Sequence, residues 1–153
     1  MAVTSFFGPY RWLSNFWYAD IVVDGFTYKT VEHAFQCAKT LIPQEQAWIA
    51  SALSPGEAKQ RGGKVTLRED WDDIKVRIMK ELLRQKFARH PGLGKRLVDT
   101  YPEQLMEGNN WGDRFWGVDS QTLEGENWMG RLLMDVRQEL MEARHAEQDR
   151  DRR

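Results

Sequence analysis

Apolar and polar positions in this chain follow first a strand period and then a helical one. Ile21-Val22-Val23 and Phe26-Thr27-Tyr28 are β-favouring runs separated by Asp24-Gly25, a pair that tolerates the positive φ angles of a tight turn, so the pattern predicts a β-hairpin. Thr30 follows as a helix N-cap. Over residues 31–40 the apolar positions Val31, Ala34, Phe35 and Ala38 predict a short helix with those side chains inward, while Glu32, Gln36 and Lys39 recur at i, i+4, i+7 as a polar stripe. Residues 44–53 predict a second helix. Ser54-Pro55-Gly56-Glu57 supplies an N-cap, a first-turn proline and a capping-box glutamate for a third, which stops at Gly62-Gly63. Residues 64–67 are expected to be a short extended piece.

Asp70 opens what the pattern makes the longest helix. Asp72 and Asp73 in its first turn suit the helix dipole, and Ile74, Ile78, Leu82 and Phe87 form much of its buried stripe. Pro91-Gly92 ends it. Residues 93–101 predict another helix and residues 104–107 a strand, and Gly108-Asn109-Asn110-Trp111-Gly112-Asp113-Arg114-Phe115-Trp116-Gly117 reads as a loop of glycines, amides and aromatics. A last amphipathic helix spans residues 127 to about 141 through Met129, Leu132, Leu133, Val136 and Leu140. These elements predict one α+β domain over residues 1–141. Residues 142–153, almost wholly charged or polar, form a tail that is expected to fray.

Composition narrows the class of protein. At 153 residues, 41% of them hydrophobic, with seven Trp and seven Phe, the chain can bury one substantial core and is too short to suggest two. Its 22 basic and 23 acidic residues nearly cancel, which argues against sequence-blind attachment to a long nucleic acid or an anionic membrane and leaves a small phosphorylated ligand compatible. The single Cys37 cannot form an internal disulfide and favours a reducing cytosol. No basic segment followed by an apolar stretch opens the sequence, and no apolar run approaches the roughly 20 residues of a membrane span. The expectation is a cytoplasmic protein with no membrane partner.

The chain contains no Walker loop, no Gly-x-Gly-x-x-Gly, no Gly-x-Ser-x-Gly and no His-Glu-x-x-His. Glu32-His33 would fit the end of a His-x-x-Glu-His zinc motif, but Lys29 stands where its first histidine belongs, so no metal site is expected. Two carboxylates remain: Glu32 on the polar stripe with Gln36 and Lys39, and Asp113 among Trp111, Phe115 and Trp116. That combination suits cleavage at an anomeric carbon. The reaction passes through an oxocarbenium-like state that a carboxylate stabilises, while aromatic faces hold a base or ribose. A cation such as Lys39 holds the carboxylate ionised or meets a phosphate. Residue types alone leave alternatives open, since a Glu, Gln, Lys stripe is also what a solvated helix face looks like and loop tryptophans also serve as core aromatics.

Three stretches in order add to this: Trp12-Leu13-Ser14-Asn15-Phe16-Trp17 followed by Glu32-His33-Ala34-Phe35-Gln36 and Lys39; Asp70-Trp71-Asp72; and Asp113-Arg114-Phe115-Trp116-Gly117 through Asn127-Trp128-Met129-Gly130-Arg131-Leu132-Leu133-Met134. Together they resemble the NADAR or YbiA-like family over nearly the whole chain up to Arg137. The resemblance implies a compact, predominantly helical α+β fold and an N-glycosidase that releases a base-like amine from C1 of a phosphorylated ribose, with no metal or other cofactor. It implies as substrate either phosphoribosylamino-pyrimidine intermediates of riboflavin synthesis or ADP-ribose attached to guanine, in nucleotides or in ADP-ribosylated nucleic acid.

By the same resemblance Glu32 is the acid at the anomeric centre, Lys39 its cationic neighbour and Asp113 a second acid or ribose ligand. Trp71 and Trp116 are aromatic walls, Asn15 and Gln36 polar contacts to sugar or phosphate, and Asn127 an anchor near the pocket mouth. Asn15 is equally a turn residue, Asn127 a helix N-cap and Trp71 a core side chain at a helix start. Where the family carries Gly-Arg before the extended piece this chain has Gly62-Gly63, so Arg61 or Lys64 is left to meet a phosphate, and Lys64 is the residue nominated. An alternative function is a non-catalytic module that binds ADP-ribose or a related nucleotide, since a fold outlasts its chemistry.

Overall fold

A computed structural model describes the whole chain, Met1–Arg153. In order, its elements are β1 (Ala2–Val3), a 3-10 segment (Gly8–Leu13), β2 (Ile21–Val23), β3 (Phe26–Tyr28), α1 (Val31–Cys37), α2 (Pro43–Ala50), α3 (Pro55–Gly62), α4 (Trp71–Arg89), α5 (Pro91–Asp99), β4 (Gln104–Leu105), β5 (Gly108–Asn109), β6 (Val118–Asp119) and α6 (Trp128–Asp151). The predominantly helical α+β fold expected from the sequence is the one that forms. Its elements group into two compact units, Ser14–Arg89 and the combination of Met1–Leu13 with His90–Arg153. No helix is long and apolar enough to cross a membrane.

In the Ser14–Arg89 unit local sequence decides the first elements. Asp24 and Gly25 take φ of 50° and 80°, and β2 pairs antiparallel with β3 from Val23↔Phe26 to Ile21↔Tyr28. Thr30 is extended at φ −145°, and its Oγ1 accepts the His33 amide at 3.1 Å as an N-cap should. Helix α1 ends at Cys37, short of the expected residue 40, because Lys39 N turns back to Gln36 O at 3.2 Å. Seven residues are too few for a helix to persist alone in water. Contacts with α2, α3 and α4 enclose α1, so Glu32, His33 and Gln36 are buried along with its apolar side chains. The polar stripe is therefore not a solvated face.

Two expectations in this unit are corrected. The segment 64–67 forms no strand: Thr66 N donates to the Glu45 carboxylate at 3.0 Å and Arg68 N to Lys39 O at 2.8 Å, so side-chain and loop acceptors take the place of a strand partner. Helix α4, with 19 residues, is shorter than the 24 of α6. Its buried face comprises Trp71, Met79, Leu82, Leu83, Lys86 and Phe87, with Ile74 and Ile78 only partly covered, because contacts with α1 and β2 select the face. A smaller difference concerns Ser54, whose Oγ caps α3 through Glu57 N while the Glu57 carboxylate takes the Leu53 amide at 2.9 Å, one residue ahead of the capping-box position.

The other unit is organised by pairings distant in sequence. β1 runs parallel to β4 and β5 parallel to β6, so that Gly108, inside the stretch expected to be loop, stands opposite Val118 just beyond it. Pro91 does not merely stop α4; it occupies the first turn of α5, where its fixed φ suits helix entry. Buried Arg137 donates to Thr100 Oγ1 at 3.0 Å and to Glu103 O at 2.8 Å, tying α6 to the end of α5. Helix α6 continues to Asp151 instead of ending near residue 141. Residues 142–151 are rich in Glu, Ala, Arg and Gln, strong helix formers, and Gln138 reaches Glu142 at 3.2 Å across the expected boundary.

Candidate active site

Helix α1 delivers Glu32 into the interior of the Ser14–Arg89 unit. The side chain is 7% exposed, and Gln36, one turn on, donates Nε2–H to Glu32 Oε1 at 2.8 Å. Burial pushes the Glu32 carboxyl above the usual carboxylate range; the Gln36 hydrogen bond opposes it, and the charges of Lys59 and Lys39 pull it down further. Lys39, just past the helix end, is pushed below the usual lysine range by burial, raised by Glu32, and lowered again by Lys59 and Lys75. Burial thus drives acid and base toward their neutral forms while their mutual attraction holds them charged. A carboxylate so placed exchanges protons nearer neutral pH than an exposed one.

Gly62 keeps the Gln36 amide in place. A Cβ there would fall 1.9 Å from Gln36 Oε1 and 2.7 Å from its Cδ, so only glycine lets α3 come this close. The approach leaves Gln36 Oε1 buried without a hydrogen bond, at a cost of about 1–3 kcal/mol. Asn15 is buried in the turn that precedes the hairpin; its carbonyl accepts the Glu32 amide at 3.2 Å and its Nδ2 donates to Met79 Sδ at 3.5 Å. Trp71 is 6% exposed and tilts on Phe35 at a ring separation of 5.0 Å, which gives it core packing behind α1. His33 is structural as well. Thr30 Oγ1 lies 2.8 Å from its Nδ1 and the Ala52 carbonyl 3.0 Å from its Nε2, a pairing that fits the neutral ring with its proton on Nε2, and burial lowers its basicity.

The two cations flanking the Gly-Gly departure behave differently. Arg61 donates to Trp48 O and Ser51 Oγ, pairs with Glu57 at 2.5 Å and covers the Trp48 ring at 5.2 Å, so its fork is occupied in holding α2 to α3. Lys64 is exposed beyond the end of α3. Lys59 and Lys75, which sequence reasoning did not single out, are the cations whose charges reach the Glu32–Lys39 pair. Each sits on a helix that contacts α1, a fact no local pattern carries.

Asp113, Trp116 and Asn127 belong to the other unit. Asp113 Oδ1 accepts from Phe115 N at 3.1 Å and Trp116 N at 3.0 Å, closing a turn, and Asn109 clamps the same loop by donating to Asp113 O at 2.8 Å and accepting from Asp113 N at 3.1 Å. Buried Asn109 was hidden in the sequence among the loop amides. Trp116 is half-buried, edge-on to Phe115 at 5.0 Å. Asn127 precedes α6 in the left-handed region, φ 55°, and does not cap it. Its Nδ2 donates to Leu105 O at 2.9 Å and its Oδ1 accepts from Glu107 N at 3.1 Å, so its side chain stitches the start of α6 to the segment around β4.

The chain is similar to known proteins over most of its length. The NADAR domain model matches residues 5–141. N-glycosidase YbiA of Escherichia coli (strain K12) is 37% identical over 129 residues, 83% of this chain and 79% of that protein. N-glycosidase Npun_R5314 of Nostoc punctiforme is 36% identical over 137 residues, 86% of each. The solution structure of E. coli YbiA superposes with a TM-score of 0.82 at 34% identity, covering 94% of this chain and 89% of that one.

Proposed function

Because this chain belongs to the NADAR family, we propose that it is an N-glycosidase that hydrolyses the bond between C1 of a phosphorylated ribose and a base-like amine. The observation that carries the proposal is the buried Glu32 carboxylate, oriented by Gln36 at 2.8 Å and attended by the charges of Lys39 and Lys59. As the C1–N bond breaks, its electron pair leaves with the base and positive charge spreads over C1 and the ring oxygen. Ionised Glu32 stabilises that charge better than water can, since it is already oriented and little screened. Water then adds to C1, Glu32 takes its proton, and the departing nitrogen is protonated in turn. Nothing in this sequence requires a covalent intermediate.

The lysines favour an anionic substrate. Lys59 and Lys75 lower the proton affinity of Lys39, a repulsion that a phosphate placed among the three would relieve. Two substrates present the required phosphorylated ribosyl amine: phosphoribosylamino-pyrimidine and ADP-ribosylated guanine. Release of free base from each, followed chromatographically, distinguishes them. Glu32→Gln keeps the shape and the Gln36 neighbour but not the charge, and is expected to lower kcat on the order of 10²–10⁴-fold with the fold intact. Equal turnover by wild type and Glu32→Gln removes Glu32 from the chemistry, and tight binding without base release by wild type replaces the enzyme with a nucleotide-binding module.

A further inference from the structure

Lys86 is fully buried, 0% exposed, near the end of α4. Burial brings its ammonium down to about 7 from an ordinary 10.5. A lysine kept in such a place weakens the fold relative to a neutral side chain of similar volume, so a reason for it must lie in what its Nζ touches. Lys86 Nζ donates to the Ser14 carbonyl at 2.9 Å, and that carbonyl also accepts the Trp17 amide at 3.1 Å. The next residue, Asn15, gives its carbonyl to the Glu32 amide at 3.2 Å and its Nδ2 to Met79 on the same buried face of α4.

The first amides of a helix have no partner within it and must be met from outside. In α1, Thr30 Oγ1 meets the His33 amide and Asn15 O meets that of Glu32. α4 therefore grips the Ser14-Asn15 turn at two points two helical turns apart, Met79 and Lys86, and the turn holds the backbone of the proposed catalytic acid. We infer that Lys86 is a positioning residue for Glu32, acting through the Ser14-Asn15 turn to fix the start of α1. The inference rests on the role given to Glu32 above. Lys86 itself exchanges no proton with the substrate in this account; its work is to keep the Glu32 backbone from shifting, and a displacement of even 1 Å at a reacting group costs about 10²-fold in rate.

The test compares Lys86→Met, which fills the space without the donor, with Lys86→Arg, which keeps a donor and a charge. In Lys86→Met, kcat for base release is expected to fall roughly tenfold or more with a much smaller change in KM, and the Glu32 amide is expected to exchange its hydrogen roughly tenfold faster. Lys86→Arg should recover part of both. Wild-type kcat and wild-type protection of the Glu32 amide in Lys86→Met overturn the inference. Should wild type cleave no ribosyl amine, the catalytic reading fails by itself, while amide exchange at Glu32 still decides whether Lys86 holds α1. If neither variant folds, nitrogen NMR of wild type decides: an Nζ that exchanges hydrogen as fast as that of exposed Lys64 is not held on Ser14, and the inference falls.

Discussion

Replacing Gly62 by alanine isolates the contribution of the Gln36 amide to the chemistry of Glu32. The added Cβ would lie 1.9 Å from Gln36 Oε1 and 2.7 Å from Cδ. Ordinary contact begins near 3.4 Å, so the oxygen must move by more than an ångström, and with Cδ also overlapped the rigid amide moves as a whole. The 2.8 Å bond from Nε2 to Glu32 does not survive that movement. A hydrogen bond to a charged acceptor is worth about 1.5–3 kcal/mol, against which alanine in a helix regains about 0.5–1 kcal/mol. The net cost is about 1–2 kcal/mol, which lowers Tm by roughly 2–8 °C in a protein of this size. The effect on catalysis has a definite sign. Gln36 opposes the upward push of burial on the Glu32 carboxyl, so its loss raises the proton affinity of Glu32 and moves the acid limb of the kcat/KM profile to higher pH. Gly63→Ala is the control: that residue is exposed, at φ −74°, and its Cβ meets only backbone oxygens, at 3.4 and 4.0 Å. Thermal melts and pH–rate profiles of the two variants check the reasoning, which is refuted if Gly62→Ala keeps the wild-type acid limb or if Gly63→Ala shifts it equally.

Lys86 makes stability depend on pH. Its folded pKa is about 7 against an ordinary 10.5, so between those values the unfolded chain binds the extra proton, and wild-type stability rises with pH across that window. At about 1.4 kcal/mol per tenfold change in proton affinity the burden is on the order of 5 kcal/mol below pH 7. Lys86→Met escapes it but leaves the Ser14 carbonyl short of a donor, about 1–3 kcal/mol, so it should be the more stable protein at pH 7 and lose that advantage by pH 10; parallel denaturation curves at both pH values contradict this. Asn127→Ala removes two backbone contacts and leaves a left-handed residue without its compensation; a loss of about 2–4 kcal/mol in urea unfolding is expected, and a change below 1 kcal/mol means that the stitching is dispensable. Lys59→Ala should raise KM for the phosphorylated substrate more than Lys64→Ala does, with little change in kcat for either; the reverse order returns the phosphate contact to Lys64.

Short-range signals carried the hairpin and the Thr30 and Ser54 caps. Each is settled within a few residues by φ preference or a side chain able to reach its own backbone. The family motifs likewise brought forward Glu32 and Gln36, which lie on α1, and Lys39, which lies just past its end. What the pattern could not say was whether that stripe met solvent, because periodicity reports which residues share a face and not what covers it. Only the enclosure of α1 by α2, α3 and α4 turned Glu32 into a buried acid, placed Gly62 against Gln36, set Lys59 and Lys75 within electrostatic reach and made Lys86 a brace on Ser14. Asn127 shows the same division. Its position before a helix suggested a cap, but an acceptor and a donor twenty or more residues away claimed its side chain. Local preference acts through a few bonds and can be read from neighbours in the chain, whereas desolvation and charge depend on everything within several ångströms, and that is known only when the chain has folded.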